Sequence, residues 1–180
     1  MLEFQDDVTW VRSMPGLELS IELSMPVGVG TLARNVLRHA PPSPLEIEQA
    51  IELVEDAVMP ARVRLPAALQ LFSADQLLYG LASESLGEGP KAALDQSLKS
   101  THRTIATPGL MGLNLSGPWS SSIWLSIDAV EALFNRLIAR SEGRPEVQDH
   151  LPVDSEYSAR LIMVRELLHH WGLNGLNSAA

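Results

Sequence analysis

The chain has 180 residues, 46% of them hydrophobic, with 13 Lys plus Arg against 22 Asp plus Glu and no cysteine. That length and apolar content suffice for one domain, residues 1–180, with its own core, and they exclude wholesale disorder. The lack of cysteine excludes disulfide scaffolds, cysteine nucleophiles, zinc ribbons and iron–sulfur clusters, and the net charge of −9 weighs against nucleic acid as a partner.

The acid excess is uneven. Residues 1–90 carry 5 basic and 13 acidic side chains, and residues 91–180 carry 8 and 9, with no basic patch in either half. The opening MLEFQDDVTW is acidic and lacks the basic start and apolar run of a secretory signal. No stretch approaches the ~18 consecutive apolar residues of a membrane helix. The expectation is a cytoplasmic protein that engages neither membrane nor nucleic acid.

In chain order, residues 8–12 (VTWVR) read as a strand that pairs across Met14-Pro15-Gly16 with residues 17–25. In that second strand Leu17, Leu19, Ile21, Leu23 and Met25 alternate with Glu18, Ser20, Glu22 and Ser24, a half-buried pattern of period two. A short helix over 31–38 follows and breaks at Pro41-Pro42. Ser43, Pro44 and Glu46 then form a capping box with proline at the first helical position. Ile47, Ile51, Val54 and Val58 recur at helical spacing until Met59-Pro60, where the helix is expected to stop. Leu69 and Leu71 suit a short strand, and Ser73 with Gln76 suggests a second capping box opening a helix to about Ser85. A polar helix, PKAALDQSLKSTHRT, is expected after the Gly-Glu-Gly-Pro turn, and then a long Gly/Ser-rich stretch over 107–122. Ile123, Leu125 and Ile127 alternate with Trp124 and Ser126 as a strand near 122–127, and Asp128 is expected to cap the following helix. The last helix starts at Asp154, buries Tyr157, Leu161, Val164, Leu168 and Trp171, and is closed by Gly172. The fold expected is α+β, with a small antiparallel or mixed sheet and five or six helices.

Three groups of residues invite a functional reading. Gly28-Val29-Gly30-Thr31-Leu32-Ala33 is a G-x-G-x-x-A turn between a strand and a helix, where backbone N–H groups cradle pyrophosphate in dinucleotide folds. Those folds need a second parallel strand ending in an acid, whereas Pro41-Pro42 and another helix follow here. What stays open is a simpler anion site at Gly28 and Gly30 with Arg34 as its cation, against a plain turn leaving the sheet. The second group is His102 and Arg103 with Trp119 and Ser120, at the two ends of the 101–122 loop, where a pocket would sit on a scaffold of this kind. The alternative is a surface loop anchored by its tryptophan. The third is metal binding by His150, Glu166, His169 and His170. Glu166-x-x-His169 has the spacing of di-iron bundles, but only one copy exists, and Glu166 is placed nearly opposite the core arc. The competing reading is a solvated face with two imidazoles favoured by the helix C-terminus. The acidic run Glu48, Glu52, Glu55 and Asp56 reads as the wet side of its helix. No nucleophile elbow, phosphate-binding P-loop or H-E-x-x-H is present, and no cofactor is indicated.

Residues 34–61, RNVLRHAPPSPLEIEQAIELVEDAVMPA, resemble a segment of the bacterial exopolyphosphatase family. The resemblance implies a fold related to actin and the sugar kinases. It also implies phosphate sites at a strand–turn of Asp-x-Gly pattern and at a later Asp-Gly-Gly-Gly-like turn. Neither turn occurs in this sequence, so no catalytic residue is carried over, and the implied relative lacks that active site. The leading expectation is therefore a protein without a recognisable active site that acts through a protein partner or as a homo-oligomer. The alternative is a protein that binds or hydrolyses a phosphate ester or polyphosphate through the Gly28–Ala33 turn or the 101–122 loop.

Overall fold

A computed structural model describes residues 1–14, 20–85, 122–146 and 149–179. Its strands are β1 (Leu2–Phe4), β2 (Thr9–Arg12), β3 (Glu22–Met25), β4 (Leu71–Ser73), β5 (Ile123–Ser126) and β6 (Gly175–Ser178). They form one mixed sheet in the order β3-β2-β1-β4-β6-β5. β1, β2 and β3 make an antiparallel meander in which Leu2 faces Val11 and Val11 faces Leu23. β4 runs parallel to β1 on one side and to β6 on the other, and β5 closes the edge antiparallel to β6. The α+β class and the mixed sheet agree with the sequence reading.

The alternation in β3 has the expected consequence: Leu23 and Met25 are buried and Glu22 and Ser24 exposed. β4 shows a different pattern. Leu71, Phe72 and Ser73 are all buried, because a strand with parallel neighbours on both sides is covered on both faces.

Five helices lie among the described residues: α1 (Val29–Asn35), α2 (Pro44–Arg62), α3 (Gln76–Ser85), α4 (Ile127–Ser141) and α5 (Ser155–Trp171). α2 carries the expected capping box, with the Ser43 hydroxyl accepting from the Glu46 N–H and the Glu46 carboxylate accepting from the Ser43 N–H. It runs past Pro60 to Arg62, contrary to the expected stop. A proline so near the end removes one helical hydrogen bond, and the terminus two residues later makes that loss small. The cap of α3 is Asp75, whose carboxylate accepts from Leu77 and Leu78 N–H, rather than the expected Ser73, which lies in β4. α4 is capped by Ser126 in place of Asp128: β5 leads into the helix without a turn, so its last residue is the one in position to cap. α5 has Asp154 at its start and Gly172 in the left-handed conformation at its end, as expected. The polar helix PKAALDQSLKSTHRT lies outside the described residues.

α5 is the central helix. It packs against α1, α2 and α4, so it buries residues around most of its circumference, from Leu161, Val164 and Leu168 to Met163 and Leu167. The Trp171 indole at its end donates to the Val58 carbonyl of α2. This enclosure overturns the expected position of Glu166 on a wet face: Glu166 is only 2% exposed. No helix among the described residues is long and apolar enough to cross a membrane.

Candidate functional site

The Gly28–Ala33 turn sits against the β1–β2 hairpin. Val29 N–H donates to the Gln5 carbonyl and Thr31 N–H to the Asp6 carbonyl, so the first turn of α1 finds its acceptors in the hairpin. Gly28 is required by that contact. A Cβ there would lie 2.3 Å from the Asp6 carbonyl oxygen and 2.5 Å from the Asp7 nitrogen. At Gly30 a Cβ would meet side chains instead, Asp6 Oδ1 at 2.2 Å and Arg34 Nη1 at 2.7 Å. Arg34 is the cation of this corner, and it is engaged: Nη1 lies 3.1 Å from Asp6 and Nη2 3.5 Å from Asp7. The Thr31 hydroxyl donates to Asp7 Oδ1 at 2.6 Å. The corner therefore presents one guanidinium, two carboxylates and one hydroxyl on an exposed edge, a net charge of −1. Asp6, Asp7 and Thr31 did not stand out in the sequence, because they meet the helix across more than twenty residues of chain.

Of the four residues predicted for metal binding, the structure brings two together. His170 Nε2 lies 3.1 Å from Glu55 Oε1 of α2 and 3.4 Å from Glu166 Oε2, one turn earlier on α5. The Glu166 partner is thus His170 at i+4 and not His169 at i+3. His169 turns the other way and contacts Glu131 of α4. Arg165 links the two pairs, with Nη1 2.5 Å from Glu166 Oε1 and Nε 2.8 Å from Glu131 Oε1. Its guanidinium lies over the Phe134 ring, 4.4 Å from the centroid. His150 is exposed and precedes the other end of α5, a helix of 17 residues that spans about 25 Å. Its neighbour Asp149 is anchored by Arg136 and by the Leu151 N–H. The Arg136 hydrogen bond outweighs burial and holds the Asp149 carboxyl below the usual carboxylate range. Glu55 was the partner missed in the sequence, where its place in an acidic run made it one solvated residue among several.

A third histidine contact is structural. His39 Nδ1 lies 2.8 Å from Glu46 Oε1 at the start of α2. Burial of Glu46 would raise its pKa, but donors from Ser43 N–H, His39, the Ser43 hydroxyl and Arg38 N–H prevail and bring it down to about 2. A shallow cavity of about 410 Å³ runs between β3 and residues 63–66, lined by Glu22, Arg64, Leu65 and Pro66 among others, and contains none of the predicted site residues. His102, Arg103, Trp119 and Ser120 lie outside the described residues.

No protein-family model and no curated protein matches the sequence. Solved structures do match the fold. A Ppx/GppA family member from Aquifex aeolicus has a TM-score of 0.64 at 11% identity, over 99% of this chain and 50% of that one. The type II variant of the Aquifex aeolicus Ppx/GppA phosphatase gives 0.62 at 12% identity, over 99% and 51%. An exopolyphosphatase-like protein gives 0.57 at 12% identity, over 99% and 54%. This chain spans about half the length of these relatives in structure. The fold is thus similar to that of Ppx/GppA chains, and the resemblance of residues 34–61 to the exopolyphosphatase family extends, in fold, to nearly the whole chain. The leading expectation, a partner-binding or self-associating protein without an active site, is corrected by this finding. Among the structures that match, one is described as a phosphatase and one as exopolyphosphatase-like.

Proposed function

We propose that this chain binds or hydrolyses a phosphate ester or polyphosphate at the corner formed by the β1–β2 hairpin and the start of α1. The observation that supports this reading is the likeness in fold to Ppx/GppA phosphatase structures over 99% of the chain. The cytoplasm, where phosphate esters and nucleotides are concentrated, is the proposed setting.

The chemistry of the corner defines how a phosphate would be held. Arg34 offers a guanidinium suited to two phosphate oxygens, but it already faces Asp6 and Asp7. A bare phosphate brings further negative charge to a corner of net −1 and is repelled. A phosphate carried with Mg²⁺ is not, because the hard cation takes oxygen ligands from the two carboxylates while Arg34 turns to the phosphate. Binding is therefore expected to require a divalent cation.

Thermal unfolding in the presence of polyphosphate, nucleotides and simple phosphate esters, with and without Mg²⁺, tests this. A ligand at 100 times its Kd adds about 2.7 kcal/mol, a shift of several degrees at this size. The shift should need Mg²⁺ and disappear in Arg34→Ala and in the Asp6→Asn/Asp7→Asn double variant. Absence of any shift with all three phosphate classes in the presence of Mg²⁺ overturns the proposal. Release of inorganic phosphate in the same mixtures separates hydrolysis from binding.

A further inference from the structure

We propose a second site, remote in chemistry from the first: a transition-metal site built from His170 Nε2, Glu166 and Glu55 where α5 crosses α2, with zinc as the cation it fits. The donor atoms of the three side chains all lie within 4.8 Å of one another. The two contacts of His170, 3.1 Å and 3.4 Å, match the ~3.3 Å edge of a tetrahedron whose bonds are about 2.0–2.1 Å long. One imidazole and two carboxylates form a borderline donor set that suits zinc over magnesium or calcium, which take oxygen ligands alone.

The surroundings support a held cation. Glu166 is 2% exposed, and Arg165 binds its other oxygen at 2.5 Å, so the carboxylate is fixed in direction by a neighbour outside the donor set. Arg165 is itself held by Glu131 and by the Phe134 ring. With neutral imidazoles, Glu55, Glu131 and Glu166 against Arg165 leave a charge of −2, which a dication neutralises. Glu55 and His170 are part-exposed, so the fourth position opens to solvent, as in sites with three protein ligands and one water.

The competing occupant is a proton on His170, which would let the imidazolium bridge the two carboxylates. Untagged protein distinguishes them. After exhaustive treatment with chelator, titration with Zn²⁺ should show one equivalent bound per chain, and Co²⁺ in its place should give the visible absorption of a four-coordinate ion. His170→Ala and Glu55→Gln should each weaken binding at least tenfold, while His169→Ala and His150→Ala leave it unchanged. Glu55 is part-exposed, so its variant keeps the test valid if Glu166→Gln fails to fold. No binding by the wild-type chain, or an equivalent retained in both His170→Ala and Glu55→Gln, overturns the proposal. Neither result bears on the phosphate corner, whose test uses Mg²⁺ and different residues.

Discussion

The starts of α1 and α2 face the same physical problem and solve it differently. Each leaves backbone N–H groups without helical partners. At α2 the solution is local: Ser43 and Glu46, three residues apart, satisfy each other's backbone, and His39 and Arg38 add donors to the carboxylate. At α1 no side chain of the N-cap residue, Gly28, helps at all. The acceptors come from Gln5 and Asp6 of a hairpin more than twenty residues away, and a bare glycine surface is what allows the hairpin close enough. A local cap stabilises a helix on its own. A remote one stabilises the joint between two elements, and it leaves Arg34, Asp6 and Asp7 paired at an exposed edge.

The comparison makes quantitative predictions. Gly28→Ala should have the largest effect, a loss of about 3 kcal/mol or more by denaturant unfolding, because its Cβ collides with backbone that cannot turn aside. A loss below about 1 kcal/mol would show that the hairpin and α1 are not tightly joined.

Next is the acid response of α2. The folded Glu46 carboxyl lies at about 2 against an ordinary 4.5. A depressed folded pKa stabilises above the unfolded value, and the benefit disappears as pH falls from about 4.5 toward about 2. The stability advantage of wild type over Glu46→Gln should thus be about 1–3 kcal/mol at neutral pH, the upper end being the full shift without solvent screening, and shrink through that window. A difference constant from pH 7 to pH 2.5 would deny the carboxylate its role. Asp149 has the same sign through its bond to Arg136, so part of the acid sensitivity should survive in Glu46→Gln.

Ser43→Ala removes one arm of the capping box and should cost about 1 kcal/mol. Asp6→Asn should have the smallest effect, under ~1 kcal/mol and salt-dependent, since its ion pair with Arg34 is more than half exposed on both sides. A loss of 2 kcal/mol or more there would mean that the carboxylate, and not the backbone contact, holds the joint.

The same contrast explains what was legible in the sequence. β2, β3 and β5, the capping box at Ser43, the cap at Asp154 and the closing Gly172 all announce themselves within a few residues. β1 and β6 do not, because strands of three or four residues are too short to show an alternation, and the polar Ser178 sits at 0% exposure within β6. Of β4 the sequence shows only Leu71, because Ser73, polar and at 0% exposure, breaks the apolar pattern of a strand covered on both faces. For the sites, the turn at Gly28 and the histidines of α5 were visible. Their partners were not. Asp6 and Asp7 belong to a hairpin whose first strand carried no signal, and Glu55 reaches His170 across 115 residues. Glu166 was misplaced because a helical wheel assumes one dry face, and α5 is packed on three sides.

The sheet order has a consequence in time. β5 pairs with β6 and, among the described residues, with no other strand. β6 must slip between β4 and β5, yet it is synthesised only after α4 and α5. On the ribosome, at ~5–20 residues per second, β5 waits between about 2.5 and 10 s for its neighbour. During that interval Leu125 and the open edge of β5 are available to any passing strand. Slower translation across residues 127–174 lengthens that interval, and faster translation shortens it.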